Sequence, residues 1–159
     1  MIGRMVGDKT AEDWELLGPW EMTSEEKMIK KGDYTMSTEQ NKAVLARIVA
    51  AMNERNLEKL DELADELFTD DYVLHIPGFA DLSPGPAGFK LFMREILAAM
   101  PDLHLTEDDV FAEDDKVATR WTGRGTDLSQ QKTVTLTILM ISQFVDGKIS
   151  EEWELVHPT

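Results

Sequence analysis

The chain contains no cysteine among its 159 residues. That single absence excludes disulfides, thiolate metal sites and a cysteine nucleophile. Long apolar runs are missing as well: the longest is about five residues, against the ~20 that a membrane-crossing helix requires. No basic-plus-apolar leader opens the sequence, so the expected location is the cytoplasm and no membrane partner is expected. Basic residues are scarce. Lys and Arg number 16 against 31 Asp and Glu, a formal charge of −15. The denser basic spots, Lys27-Lys30-Lys31 and Arg120-Arg124, are surrounded by carboxylates. Phosphate backbones need cations gathered on one face, so nucleic acid is not an expected partner. The acidity reads as a solubilising surface.

What remains is an ordinary globular composition, 42% hydrophobic and 30% charged, long enough for one domain that buries roughly 70% of its unfolded surface. Residues 1–36 differ from the rest. They hold Trp14, Trp20 and a Gly18-Pro19 break, with too few apolar residues for a core of their own. They read as an extension, either docked through the tryptophans or a tail.

The domain proper is expected over residues 37–159. Ser37 and Gln40 form a capping-box pattern ahead of Val44, Leu45, Ile48, Val49 and Met52 at helical spacing. Asn56 precedes a second helix from Leu57 to Phe68, and a short strand follows at Tyr72–Ile76, stopped by Pro77-Gly78. A Pro- and Gly-rich loop leads to a third helix, Ala87 to Met100, ended by Pro101. Beyond it the apolar period changes from 3.6 to 2. Strands are expected at Leu103–Phe111, Lys116–Thr126, Thr133–Val145 and Lys148–Val156, the last two joined by an Asp146-Gly147 hairpin turn. Three helices followed by a meander give an α+β domain with helices on one face of the sheet.

Several motifs then occur in a characteristic order. They are Met100-Pro101-Asp102-Leu103, Asp115-Lys116-Val117-Ala118 with Arg120, Gly123-Arg124-Gly125-Thr126, and Phe144-Val145-Asp146-Gly147-Lys148-Ile149 followed by Trp153. Over about residues 38 to 157 the chain resembles the SnoaL-like polyketide cyclase family of the nuclear-transport-factor-2-like superfamily. The resemblance implies a cone-shaped, cystatin-like fold, a curved antiparallel sheet and three helices enclosing a pocket for a small apolar organic molecule. It implies a homodimer through the outer face of the sheet. It also implies an acid/base carboxylate on the last strand, which falls on Glu154 where the family carries Asp. Characterised cyclases have a His where this chain has Met140. A thioether transfers no protons, which leaves open a non-catalytic ligand-binding or dimerisation module. A limonene-type epoxide hydrolase is a third reading, using an Arg held between carboxylates.

The residue chemistry fits a catalyst needing neither metal nor cofactor. Aldol closure removes a proton beside a carbonyl and delivers one to an oxygen, and a carboxyl does both when an apolar setting raises its pKa. Glu154 is the expected acid/base, with Arg120 and His75 orienting the substrate. Arg120 reads either as a cation for a substrate oxygen or as a structural ion pair, and His75 either as a pocket residue or as a structural histidine. Strand alternation puts Ser150, Glu152 and Val156 on the face of Glu154, where repulsion between the two glutamates raises one pKa unless both sit at a solvated rim. The family resemblance implies that Ile138, Met140, Ser142 and Phe144 face the cavity, and Ile138, Met140, Phe144, Phe79, Phe89, Phe92 and Glu152 are the expected substrate-binding set. No metal is expected, since His104 with Asp102, Asp108 and Asp109 lacks ligand spacing on one face.

Overall fold

The computed structural model describes Met5–Val6, Lys9–Thr10, residues 37–78 and residues 82–159. Phe79 and the rest of residues 1–36, with both N-terminal tryptophans, lie outside the described residues. The chain divides into two units, Met1–Asp33 and Tyr34–Thr159. In the first, strands β1 (Met5–Val6) and β2 (Lys9–Thr10) pair antiparallel.

In the second unit helix α1 spans Thr38–Asn53 and starts with a complete capping box. Ser37 Oγ accepts from the Gln40 N–H at 3.2 Å, and Gln40 Oε1 accepts from the Ser37 N–H at 2.8 Å. Helix α2, Leu57–Leu67, is capped by Asn56, whose Oδ1 accepts from the Lys59 N–H at 3.0 Å. Its stripe of Leu60, Leu63, Ala64 and Leu67 is buried, whereas Leu57 stays exposed at the helix start. Helix α3, Pro86–Ala99, places proline in its first turn, where no backbone N–H is needed. Exposed ion pairs link the helices: Arg47 binds Glu66 through two 2.9 Å bonds, and Lys90 binds Asp65 at 2.7 Å. Such pairs contribute roughly 0–1 kcal/mol each. A buried leucine contributes roughly 1.5–3 kcal/mol, so the apolar stripes decide the packing.

Phe68 caps the end of α2, its N–H donating to the Ala64 carbonyl. It opens strand β3 (Phe68–His75), longer at its start than the spacing suggested, because its aromatic ring is needed in the core against Tyr72 and Phe89. The remaining strands are β4 (His104–Glu113), β5 (Lys116–Asp127), β6 (Lys132–Val145) and β7 (Lys148–Pro158). Their order in the sheet is β3-β7-β6-β5-β4. Every adjacent pair is antiparallel except β3 with β7, which is parallel, so the sheet is mixed and does not close. The β6–β7 turn is the expected one, with Asp146 at φ 49° and Gly147 at φ 80°, the left-handed pair that a tight hairpin requires.

Irregularities interrupt the ladders between Glu107 and Asp109 and between Gln143 and Phe144. Bulges of this kind bend a sheet. The three helices supply most of the core against the inner face, joined by Val117, Phe144 and Ile149. At the far edge the Asn53 side chain bonds both backbone groups of Leu105, accepting from its N–H at 2.8 Å and donating to its carbonyl at 2.9 Å.

Gly85 ties the α3 loop to β3. Its N–H donates to the Tyr72 carbonyl at 2.8 Å, its φ is 78°, and an added Cβ would stand 2.4 Å from the Asp70 carbonyl oxygen. Gly85→Ala is therefore expected to lower stability in urea denaturation by on the order of 2 kcal/mol or more, combining left-handed strain with a backbone clash.

Candidate functional site

Between the helices and the inner face of the sheet lies a cavity of about 400 Å³. Helix α1 lines it with Leu45, Ile48, Val49 and Met52, and α3 with Phe89, Phe92, Met93 and Ile96. The sheet adds Leu105, Trp121, Ile138 and Met140. Against this apolar wall stand three polar side chains: Tyr72, Glu152 and Glu154.

Strand register explains why both glutamates point inward. Glu154 pairs with Met140 and Glu152 with Ser142, alternating with the outward Trp153–Ile141 pair. The irregularity beside Gln143 then shifts the alternation. Phe144 pairs with Ile149, and Gln143 with Glu151, leaving Ser150 as the extra residue of a bulge. Ile149 takes the inward place that simple alternation assigns to Ser150, and Ser150 Oγ instead donates to the Gln143 carbonyl at 3.2 Å.

Glu152 is 5% exposed. Each of its oxygens accepts a hydroxyl proton, one from Ser142 Oγ at 2.5 Å and the other from Tyr72 Oη at 2.7 Å. Burial pushes its pKa up, and the two hydroxyl donors pull against that shift. The Tyr72 hydroxyl is driven well above its ordinary value, first by burial and then by the negative charge of Glu152. Glu154 keeps contact with the open part of the cavity. Nevertheless the apolar groups around its carboxyl, and secondly the charge of Glu152, raise it from 4.5 to about 7. A carboxyl poised there exchanges protons readily at neutral pH in either direction.

Of the expected orienting residues, neither lines this cavity or hydrogen-bonds Glu154. Arg120 does stand on the side of Ala118, Thr122 and Arg124, but that is the outer face; the inner positions of β5 are Val117, Thr119, Trp121 and Gly123. Its guanidinium binds Asp109 at 2.7 Å and Asp108 at 3.4 Å, carboxylates from the neighbouring β4 rather than either glutamate of β7. His75 is also turned outward. Its Nε2 lies 2.8 Å from Glu151 Oε1, and its ring stacks on Trp153 with centroids 5.6 Å apart.

Of the expected binding set, Met140, Ile138, Phe89, Phe92 and Glu152 line the cavity. Phe144 does not; it is 5% exposed and packs in the solid core beyond the bulge. Tyr72 is the residue whose part in the site sequence reasoning missed, whereas Ser142, expected to face the cavity, lies against Glu152. Alternation along Tyr72 and Leu74, two residues apart on β3, was the available signal for the tyrosine. Among the described residues no cluster of three metal-ligating side chains occurs, and no helix is long and apolar enough to cross a membrane.

The similarities to other proteins agree with this architecture. AclR from Streptomyces galilaeus, provisionally assigned as a hydroxylase, is 27% identical over 76% of this chain and 91% of its own, with a TM-score of 0.63. IdmH from Streptomyces antibioticus, provisionally assigned as a polyketide cyclase, is 29% identical over 74% of this chain and 91% of its own, with a TM-score of 0.60. A SnoaL-like protein of Jannaschia sp. CCS1 shares the fold at a TM-score of 0.67 with 15% identity, covering 78% of this chain and 90% of its own. No curated protein matches the chain in sequence. The family model described as SnoaL-like polyketide cyclase matches residues 42–157, most of the domain just described, and the chain belongs to that family.

Proposed function

We propose that this protein is a cofactor-independent enzyme of polyketide-cyclase type, acting on a small apolar carbonyl compound with Glu154 as general acid and base. The observation that carries the reading is a carboxyl that lies in an apolar cavity and takes part in no hydrogen bond among the described residues, a setting that pushes its pKa up to about 7. Ionised Glu154 removes a proton from the carbon beside a carbonyl, and the electron pair passes to the oxygen as an enolate. The enolate carbon then attacks a second carbonyl within the same molecule. The resulting alkoxide takes the proton back from Glu154, so the carboxylate is regenerated and no redox partner enters. Met140, directly opposite Glu154 on β6, contributes shape and polarizability only.

The same Met140 favours a second reading, a non-catalytic binding module, because no other proton-transfer group faces Glu154 across the strand pair. An epoxide hydrolase gains no support. The guanidinium between two carboxylates, Arg120 with Asp108 and Asp109, stands on the outer face away from the cavity. That outer face carries Leu139, Ile141, Trp153 and Leu155, between 38% and 54% exposed. A contiguous apolar surface of this kind supports a homodimer formed across the sheets. The cysteine-free composition suits a reducing cytoplasm.

Glu154→Gln is expected to reduce turnover of aromatic polyketide-type ketones by about 100-fold or more, while binding of the same ketones, followed by tryptophan fluorescence, persists. Unaltered turnover in the variant rules the mechanism out, and ligand binding without turnover by the wild type selects the binding module. The raised pKa has a second consequence. Ionising Glu154 costs the fold, so the wild type loses stability as pH rises from about 4.5 to about 7 and then levels off. Glu154→Gln should accordingly match the wild type in urea denaturation near pH 4 and exceed it near pH 8, by on the order of 1–3 kcal/mol. Leu155→Glu on the outer face should shift the protein to monomer in analytical ultracentrifugation, leaving the cavity intact.

A further inference from the structure

The two inward glutamates of β7 share one face and one cavity but have different partners. Both oxygens of Glu152 receive a hydroxyl proton, from Ser142 at 2.5 Å and from Tyr72 at 2.7 Å. Ser142 is fully buried and Tyr72 is 2% exposed. Each hydroxyl has a single proton to give, and that proton is directed at the carboxylate. A carboxyl accepting on both oxygens is solvated as an anion by the protein itself. Glu154 receives no such donor among the described residues. Its strand partner is a thioether, and what faces it from the helices is aliphatic and aromatic carbon.

We propose that Glu152 is a positioning residue, fixed as the anion of the pair by Tyr72 and Ser142, and that the exchangeable proton of the pair is carried by Glu154. Two carboxylates two residues apart on one strand face lie roughly 7 Å apart along the backbone. In a water-poor cavity they do not ionise independently, and the macroscopic steps belong to the pair. The donors break the symmetry. They make the deeper carboxyl the easier one to ionise, despite its greater burial, and its charge then holds the proton on the one that meets the ligand.

No other ionisable group among the described residues intervenes. Helices α1 and α3 and strands β4, β5 and β6 present apolar side chains and the hydroxyls of Ser142 and Thr119 to this face, and β3 presents Tyr72. His75 and Glu151, the nearest charged neighbours along β3 and β7, bond each other on the opposite face. The inference deepens the acid/base reading of Glu154 and rests on it for its catalytic meaning, but the location of the proton is measurable without turnover.

The test is carboxyl ¹³C NMR on the glutamate-labelled full chain from pH 4 to 9, with Glu154→Gln assigning the resonances. The expected result is that, as pH rises, the Glu152 carboxyl ionises first and the Glu154 carboxyl follows, titrating near neutrality. Glu152→Gln should lower the Glu154 midpoint by about one unit. Ser142→Ala and Tyr72→Phe each remove one donor, so each should lower the Glu154 midpoint and raise that of Glu152 as the proton moves inward. These two milder variants decide the matter if Glu152→Gln fails to fold. Glu152 titrating near neutrality in the wild type with Glu154 already ionised overturns the proposal, as does a Glu154 midpoint that none of the three changes moves. If turnover requires Glu154 yet the proton resides on Glu152, this inference falls and the acid/base reading stands. If no turnover is found yet the titrations behave as described, the reverse holds.

Discussion

The register between β6 and β7 governs the interior of this protein. Side chains alternate along a strand, so a slip by one residue would send every inward group outward. Here the register brings Glu154 under Met140 and Glu152 under Ser142, and a single bulge at Ser150 returns Ile149 to the inside, where it meets Phe144. One strand therefore serves two ends of the interior. Before the bulge it contributes to a solid apolar core; beyond it, to a cavity with two acids. The bulge separates these tasks by exchanging a polar residue for an isoleucine where packing must be tight.

The cost of two acids in an apolar setting is distributed unequally. An unpaired buried carboxylate is expensive, and this chain answers with hydroxyls instead of cations. Tyr72 comes from the one strand that pairs parallel, and Ser142 from the adjacent antiparallel one, so the parallel pairing of β3 is what brings the phenol to Glu152. Hydroxyls stabilise the anion without neutralising it, unlike a guanidinium. Its charge continues to act on Glu154, as a fully compensated ion pair would not.

Much of this was legible in the sequence. The apolar stripes of the helices, the capping box at Ser37 and the Asp146-Gly147 hairpin follow from local rules that tertiary structure left alone, and the family resemblance supplied the inward direction of Ile138, Met140 and Glu154. Arg120 shows where such rules stop. Alternation correctly grouped it with Ala118, Thr122 and Arg124, yet periodicity names two faces without saying which is covered. The bulk of Val117 and Trp121 on the opposite side was the better guide, because helices need large apolar side chains to pack on. The bulge at Ser150 and the parallel placement of β3 depend on partners distant in sequence, which no local pattern of β7 or β3 encodes.

The double bond between Asn53 and Leu105 has a consequence for association. Strand β4 is an edge of an open sheet, and a bare edge invites a foreign strand to add. At Leu105 both outward backbone groups are already taken by an amide side chain that copies the donor and acceptor of a neighbouring strand. The same clasp joins the end of α1, beside Met52 of the cavity wall, to Leu105 of that wall. An intruding strand would have to displace the clasp and loosen the cavity rim, so resistance to runaway sheet extension and the shape of the hollow depend on the same asparagine.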